Sequence, residues 1–345
     1  DPKRLFANNY GGGNFLSSDG GSSWITASRG YTGSQTRDIA VDPRDANRVY
    51  TAARSGIFFS ADGGSTWKGL GYAPVNLLEW NAVAVDPDDT RHLLAASNHG
   101  NILAESYDAG STWKIVNRMH TPGMSWRVIT FAPSDPRIVY AGVSAYYSAG
   151  TFDNTMPAQG IQISTNGGGS WQDANDGVSK SANVSALAVD QDNPRVLIAG
   201  TLNRGVLKST DSGGHWAAVN RGLPSQPRVL SIAWKPGQAA VLLAGIDRGG
   251  VYRSLDGGNS WKASAAGMNP EASVTDLVFD PTNPEVLYAA DLSSGVYRSE
   301  DGGRSWQPIN NGLRTRAVNA LTISADGSRL YAATEGEGVF RLDIR

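Results

Sequence analysis

The stretch SLDGGNSW, residues 254 to 261, decides the fold, because six close copies of it are spread along the 345-residue chain. We call each eight-residue copy a box. The other boxes begin at residues 17, 60, 106, 164, 209 and 299 and are SSDGGSSW, SADGGSTW, SYDAGSTW, STNGGGSW, STDSGGHW and SEDGGRSW. Their closing tryptophans follow one another at intervals of 43, 46, 58, 45, 45 and 45 residues. A period near 45 residues is typical of a propeller blade, which consists of four short strands and their turns.

The composition of the box indicates a tight turn between two strands. Its fifth residue is glycine in every copy, and glycine adopts a positive φ without steric cost. The third residue can accept main-chain N–H groups of its own turn, and the closing tryptophan offers a large apolar surface that suits a seam between blades. We therefore predict a structural role for two residues of each box, namely Asp19, Asp62, Asp108, Asn166, Asp211, Asp256 and Asp301 at the third position and Trp24, Trp67, Trp113, Trp171, Trp216, Trp261 and Trp306 at the eighth.

The chain between the boxes is typical of short strands. Residues 274 to 309, VTDLVFDPTNPEVLYAADLSSGVYRSEDGGRSWQPI, divide into a strand, an Asp-Pro turn, a strand, a glycine loop, a strand, a box and a last strand. We name these strands A, B, C and D. Apolar residues alternate or form β-branched blocks, and no stretch keeps a helical period. The predicted fold class is all-β, a β-propeller of four-stranded antiparallel blades with the box between strands C and D.

The strand pattern leaves two blade counts open. It contains thirty strands, seven A, eight B, eight C and seven D, because the chain opens on a B strand and ends on a C strand. We expect an eight-bladed ring whose missing A and D strands precede Asp1 or are left open, and a seven-bladed ring is the alternative. Either count predicts a single domain, residues 1–345, with repeats at approximately 1–35, 36–79, 80–125, 126–183, 184–228, 229–273, 274–317 and 318–345.

Composition excludes several classes of function. Thirty Lys and Arg against 32 Asp and Glu give a net charge of −2, which offers no electrostatic basis for binding nucleic acid or an anionic membrane. No apolar run is long enough for a membrane span, so no membrane insertion is expected. The chain has no cysteine and four scattered histidines, so we expect no metal and no cofactor. Because the chain starts at Asp1 without an apolar leader, we expect an exported bacterial protein, periplasmic or extracellular.

The box pattern Ser-x-Asp-x-Gly-x-[Ser/Thr]-Trp resembles the Asp-box, or bacterial neuraminidase repeat, of β-propellers. Proteins with this box include sialidases, xyloglucanases, sortilin-type receptors and the photosystem II stability/assembly factor family, and the stand-alone propellers of the last group are the most similar. The resemblance implies that the boxes are structural and lie on the rim away from the ligand face. It leaves the function open.

Departures from the repeat are the candidate binding residues. In a propeller the D-to-A and B-to-C loops share one face at the mouth of the central channel, and the fourth repeat has an insertion there, VSAYYSAGTFDNTMPAQG, residues 143 to 160. Its aromatic residues and two tryptophans that begin strands A could stack on sugar rings or cap an apolar segment of a partner; alternatively, the long loop packs its own aromatic residues. The candidate binding residues are Trp80, Trp126, His120, Tyr146, Tyr147, Phe152, Arg204 and Arg248.

The favoured function is a non-catalytic module that binds a protein segment or a glycan and could act as a subunit of a larger assembly. The alternative is a glycoside hydrolase or lyase, because DRGGVYRS, residues 247 to 254, resembles a catalytic segment of xyloglucanases. Its candidate carboxylates are Asp247, Asp291, Glu79 and Asp153. However, DLSSGVYRS and EGEGVFRL repeat the same Gly-Val-aromatic-Arg pattern, which is simply strand C of this chain. The arginine triad and the early Arg-Ile-Pro motif of sialidases have no convincing match.

Overall fold

The computed structural model of the protein describes residues 2–9, 13–26, 35–71, 79–98, 101–119, 124–145, 160–179 and 182–344. These residues form thirty β-strands, which confirms the all-β prediction and the predicted number of strands. Within the same ranges no helix is long and apolar enough to cross a membrane.

Six four-stranded antiparallel sheets and one three-stranded sheet form the blades of the propeller. Blades 1 to 3 are β4 (Thr36–Asp42), β5 (Asp45–Ala53), β6 (Gly56–Ser60) and β7 (Lys68–Gly69); β8 (Trp80–Val85), β9 (Leu93–Ser97), β10 (Ile102–Ser106) and β11 (Lys114–Arg118); and β12 (Met124–Phe131), β13 (Val139–Ala145), β14 (Ile161–Ser164) and β15 (Gln172–Asp173). Blades 4 to 7 are β16 (Val184–Val189), β17 (Leu197–Thr201), β18 (Gly205–Ser209) and β19 (Ala217–Ala218); β20 (Val229–Trp234), β21 (Leu242–Ile246), β22 (Gly250–Ser254) and β23 (Lys262–Ala263); β24 (Val274–Phe279), β25 (Leu287–Asp291), β26 (Gly295–Ser299) and β27 (Gln307–Pro308); and β28 (Val318–Ile323), β29 (Arg329–Thr334) and β30 (Val339–Asp343).

The ring closes with seven blades, so the predicted count of eight is wrong and the alternative of seven is confirmed. Each inner strand A packs against the inner strand of the next blade, and β28 of blade 7 packs against β4 of blade 1. The side chain of Asn319 donates to the carbonyl of Thr36 over 2.9 Å across this junction. The N-terminal strands supply B, C and D but no inner strand, and seven inner strands close the channel without them.

The N-terminal strands form a separate three-stranded sheet, β1 (Leu5–Asn9), β2 (Gly13–Ser17) and β3 (Ile25–Thr26). We call it the N-terminal sheet. Its apolar side chains are poorly covered, since Phe6 is 72%, Ile25 64% and Trp24 43% exposed. The box tryptophans of blades 4 to 6 are buried instead, and each donates its Nε1–H to a carbonyl of the preceding blade, as Trp261 does to Val219 over 2.9 Å.

The box of blade 5 illustrates how these turns are held. Ser254 Oγ donates to Asp256 Oδ1 over 2.8 Å and accepts the N–H of Gly258 over 2.9 Å. Ser260 donates both its main-chain N–H and its hydroxyl to the Asp256 carboxylate, at 2.8 and 2.6 Å. The hydroxyl of Ser260 is the main reason that the pKa of Asp256 lies below its ordinary value. Gly258 has a φ of +86°, a conformation that favours glycine.

Candidate functional site

Main-chain hydrogen bonds that recur from blade to blade show which loops lie on each face of the ring. The loop between strands B and C donates an N–H to the carbonyl just before strand A, as in Asp247 to Arg228 over 2.9 Å and Glu335 to Ala317 over 3.0 Å. The B-to-C loops and the D-to-A connections therefore lie on the same face, which we call the loop face. Each box instead bonds the turn between strands A and B, as in Gly257 N–H to Ala240 O over 2.9 Å. The boxes therefore lie at the opposite ends of the strands.

A β-bulge marks the loop-face end of every inner strand. The pairing of strands A and B skips one residue of strand A in all seven blades, the second residue in six of them and the fourth, Arg127, in β12. Bulges of this kind redirect one side chain out of the regular pleat. The seven bulge residues are Arg37, Asn81, Arg127, Ser185, Leu230, Thr275 and Asn319. Four of them donate from the side chain to a main-chain carbonyl of the next blade, as Asn81 Nδ2 does to the carbonyl of Trp126 over 2.8 Å.

Glu79 is the centre of a polar network at the seam between blades 1 and 2. One carboxylate oxygen accepts Arg54 Nε over 2.9 Å, and the other accepts Arg37 Nη2 over 3.2 Å and Asn98 Nδ2 over 2.9 Å. Arg37 Nη1 also donates to Asn81 Oδ1 over 2.6 Å. We call Arg37, Arg54, Glu79, Asn81 and Asn98 the Glu79 network. The side chains of Arg37, Arg54 and Glu79 are 20%, 22% and 13% exposed, so the network is fixed in place yet reaches solvent.

The electrostatics of the network keep Glu79 ionised. Burial alone would raise the pKa of the Glu79 carboxyl, but hydrogen bonds from Asn98 and Arg54 and the charge of Arg37 outweigh burial and hold it below its ordinary value. A general acid needs a raised pKa. Glu79 is thus poorly suited to protonate a leaving group, and the two guanidinium groups hold it as a fixed anion.

The network continues toward blade 7. Arg54 Nη1 donates to Gln35 Oε1 over 2.9 Å, and Gln35 forms an isolated β-bridge with Glu335. Asn319 Nδ2 in turn donates to Glu335 Oε2 over 2.8 Å. Polar side chains of three consecutive blades, 7, 1 and 2, are therefore connected across one sector of the loop face.

Two of the predicted catalytic carboxylates meet at one serine. Ser273 donates its hydroxyl to Asp247 Oδ1 over 2.7 Å and its N–H to Asp291 Oδ1 over 3.0 Å. Asp247 also forms an ion pair with Arg228 at 3.0 Å. Asp291 is fully buried and accepts the N–H of Ser293 over 3.2 Å. This pair therefore stabilises the loop ends of blades 5 and 6, and Asp291 does not reach the surface. Asp153, the fourth candidate, lies outside the described residues.

The prediction that Trp80 and Trp126 form an exposed aromatic surface is wrong. Trp80 is 4% and Trp126 0% exposed. Each packs on the box tryptophan of its own blade, Trp80 at 6.2 Å from Trp113 and Trp126 at 6.4 Å from Trp171 between ring centroids. They lie in the seams because the residue directly before the bulge of strand A points between blades, and blades 4 to 7 carry valine there.

The other predicted binding residues are either exposed or outside the description. Arg204 is exposed, and its N–H donates to Thr201 Oγ1 over 2.9 Å. Arg248 is exposed with a φ of +54°, and its Nε lies 3.9 Å from the Glu271 carboxylate. Neither joins the Glu79 network. The remaining predicted binding residues, His120, Tyr146, Tyr147 and Phe152, lie outside the described residues.

Two carboxylates on the inner strands were missed by the sequence prediction. Asp38 and Asp276 are the third residues of their A strands, where the other blades carry alanine, valine or serine. Asp38 Oδ2 accepts the N–H of Val83 over 3.0 Å, and Asp276 Oδ2 accepts that of Leu321 over 2.8 Å, so each bridges to the next inner strand. Burial raises the pKa of Asp38 to about 7, helped by the charge of Asp276, and burial raises the pKa of Asp276 to about 6.

In the part of the chain that is described, no three His, Cys, Asp or Glu side chains are grouped so that they could hold a metal ion. What the loop face does present is a row of guanidinium, amide and carboxylate groups in fixed positions. Such groups recognise carboxylates, carbonyls and amides by directed hydrogen bonds.

Comparison with known proteins agrees with a propeller. Residues 204–339 match the Sortilin-Vps10 family model, described as sortilin, neurotensin receptor 3. No curated protein matches the chain.

Solved structures with the same fold share little sequence with this chain. The GH74 xyloglucanase from Xanthomonas campestris is 18% identical with a TM-score of 0.69, over 98% of this chain and 53% of the xyloglucanase. The chain thus spans about half the length of that enzyme. YCF48 bound to D1 peptide is 14% identical with a TM-score of 0.65, over 91% of this chain and 93% of YCF48. YCF48 from Cyanidioschyzon merolae is 15% identical with a TM-score of 0.65, over 90% of this chain and 96% of that YCF48. At these identities the likeness shows the fold alone.

Proposed function

We propose that this propeller is a binding module that holds an extended protein segment on its loop face, across the sector formed by blades 7, 1 and 2. The observation that carries the proposal is the Glu79 network, in which Arg37 and Arg54 are held by one ionised carboxylate at the seam of two blades. Prearranged side chains bind with a smaller loss of conformational entropy than mobile ones.

The chemistry of the sector favours a peptide over a sugar as ligand. Sugar rings are bound largely by stacking on aromatic faces, and within the described ranges no large aromatic side chain of the loop face is exposed. Guanidinium and amide groups suit the carbonyls and carboxylates of a peptide. The complex of YCF48 with a D1 peptide supports the proposal by example, since a propeller of the same fold binds a protein segment.

A matched pair of arginine variants tests this function. Linear peptides would be selected from a random phage-displayed library against the wild-type protein, and their affinities measured by isothermal titration calorimetry. Loss of a charge-assisted hydrogen bond costs about 1.5 to 3 kcal/mol, so Arg54→Gln is expected to weaken binding at least about tenfold.

The control for this experiment is Arg137→Gln. Arg137 lies on the turn between strands A and B of blade 3, at the box end of the strands, and its side chain is 80% exposed and paired with Asp135. We expect this variant to bind as the wild type does. Equal affinity of both variants, with melting temperatures like that of the wild type, would rule out the Glu79 sector as the binding site.

A second candidate function is cleavage of a polysaccharide. It is favoured by the position of Asp247 on the loop face, where its side chain is 25% exposed, and by the likeness in fold to a xyloglucanase. Incubation with xyloglucan and a reducing-sugar assay test it directly. Activity that Asp247→Asn abolishes would establish this function, and absence of any release of reducing ends would eliminate it for that substrate.

A further inference from the structure

Within the described residues, blade 7 has no fourth strand on its outer edge. Six blades carry a fourth strand on strand C, whereas the described strands of blade 7 end with β30. Leu342 on this strand is 42% exposed. An unpaired edge presents a row of main-chain N–H and C=O groups that readily accept a further strand. We call residues 339–343 the acceptor edge.

The segment that follows the first box has the length required to fill this position. In the ring, a D strand connects to the next A strand through nine or ten residues in four blades, from Asp173 to Val184, Ala218 to Val229, Ala263 to Val274 and Pro308 to Val318. Nine residues separate the end of β3 at Thr26 from the start of β4 at Thr36. Since β4 belongs to blade 1, the spacing places β3 as the D strand of the blade before it, which is blade 7.

A glycine in the same connection supports the same placement. The residue six positions after the box tryptophan is Gly177, Gly222 or Gly267 in blades 3 to 5, with φ between +79° and +90°. A Cβ on any of them would lie 2.0 to 2.2 Å from the main-chain oxygen of the next blade's box tryptophan. Gly312, the equivalent glycine of blade 6, has a φ of +78° and nothing within 4 Å. Three of the four glycines at this position therefore lie in a connection that docks on the box of the next blade.

The first box is followed by the same glycine. Gly30 stands six positions after Trp24, and the blade that follows this connection is blade 1, whose box ends at Trp67. The sequence of residues 24–30 thus has the two features of a D strand in the ring, the tether length and the docking glycine, while β3 pairs with β2 in the N-terminal sheet.

We propose that β3 exchanges β2 for the acceptor edge and completes blade 7 as its fourth strand. The register follows from the other blades, where Arg253 pairs with Lys262 and Tyr252 with Ala263. Arg341 and Phe340 occupy the equivalent positions of β30, so Ile25 pairs with Arg341 and Thr26 with Phe340. The exchange keeps the number of ladder pairs and places Trp24, which is exposed in the N-terminal sheet, at the position where the box tryptophans of blades 4 to 6 are buried. The nine-residue tether favours the strand of the same chain over that of a second copy.

Two cysteine pairs distinguish the arrangements, and the chain has no cysteine of its own to interfere. Ile25→Cys with Arg341→Cys reports the proposed pairing, and Ile25→Cys with Leu16→Cys reports the pairing on β2. After mild oxidation, proteolysis and mass spectrometry, we expect the 25–341 disulfide as a main product in monomeric protein. Its absence where the 16–25 disulfide forms fully would overturn the proposal, and a 25–341 disulfide found only between two chains would overturn it in favour of a second copy.

Hydrogen exchange provides a second test that introduces no cysteine. Ile25→Pro removes the N–H that would bond to β30, and it alters only the N-terminal sheet in the arrangement of the structure. We expect the amides of residues 339–343 to exchange faster in Ile25→Pro than in the wild type, while those of β26 stay unchanged. Identical exchange of residues 339–343 in both proteins would contradict the pairing of β3 with β30.

Discussion

Asn319 and Thr36 join the two ends of the ring, 283 residues apart in sequence, through a hydrogen bond of 2.9 Å from the side-chain amide of one to the main-chain carbonyl of the other. Asn319 also donates to Glu335, so one side chain links the closure of the ring to the polar sector of the loop face.

Removal of the Asn319 side chain should weaken the closure. Asn319→Ala loses a hydrogen bond to a main-chain carbonyl, which we expect to lower the free energy of unfolding by about 1 to 2 kcal/mol. Urea unfolding followed by circular dichroism measures it. Asn311→Ala is the control, because Asn311 is exposed in the connection before blade 7; an equal loss in the two variants would contradict a role of Asn319 in ring closure.

A side chain at Gly258 should disrupt the box of blade 5. Its φ is +86°, and a Cβ there would lie 3.0 Å from Ile198 Cδ1 in the seam. We expect Gly258→Val to cost about 3 kcal/mol or more in the free energy of unfolding, through backbone strain together with the steric contact. Gly237→Val separates the two causes, since Gly237 has a φ of +68° and nothing within 4 Å. If both variants lost the same stability, the seam contact would be irrelevant.

Asp38 and Asp276 should make the protein less stable as the pH rises. Their pKa values are raised to about 7 and about 6 in the folded state, so the folded protein binds more protons than the unfolded chain between about pH 4 and pH 7. The free energy of unfolding contributed by these groups is therefore highest below about pH 4 and falls through pH 7. Unfolding in urea at successive pH values should show a flatter dependence for Asp38→Asn than for the wild type.

The box carboxylates should change the stability with pH in the opposite direction, and they serve as an internal comparison. Hydrogen bonding, chiefly from the Ser23 hydroxyl, lowers the pKa of Asp19 to about 2. Stability from such a group is present above its unfolded pKa and is lost as the pH falls toward 2. An unchanged pH dependence in Asp38→Asn would show that the Asp38 carboxyl titrates normally.

The buried tryptophans should matter for stability and leave binding unaffected. Trp126→Ala removes a fully buried side chain and is expected to cost about 3 to 5 kcal/mol. Trp24→Ala is the comparison, because Trp24 is 43% exposed in the N-terminal sheet, and its loss should cost much less. Trp126→Phe should keep peptide affinity at the wild-type value. A stable Trp126 variant that no longer binds the peptide would show that this residue takes part in binding.

The sequence alone was enough to predict the local elements of the fold. The box glycines, the Asp-Pro turns and the alternating apolar residues act within a few positions of each other, so the thirty strands and the turn between C and D could be derived from them. The number of blades could not be derived from these local patterns. It depends on whether β28 meets β4 directly, a contact between strands nearly 280 residues apart, and the incomplete repeats at both ends fit seven or eight blades equally.

Most of the candidate site could not be predicted from the sequence, because it also depends on contacts between residues of different blades. Glu79 was singled out as a possible catalytic carboxylate, but its partners Arg37 and Arg54 come from the preceding blade, and neither was expected to bind it. Trp80 and Trp126 look like departures from a repeat that has valine, and only the packing on Trp113 and Trp171 shows that they fill seams. The polar residues Arg37 and Asn81, each the second residue of its strand A, were the signal that could have located the loop-face network.

Hydrogen exchange of the complex with a selected peptide tests most directly whether a protein segment binds at the Glu79 sector. We expect slower exchange on binding for the amides of residues 54–55, 79–81 and 98, with no change in the boxes. Protection confined to the boxes or to blades 4 and 5, with residues 54–55 and 79–81 unchanged, would contradict the assignment of the binding site to this sector.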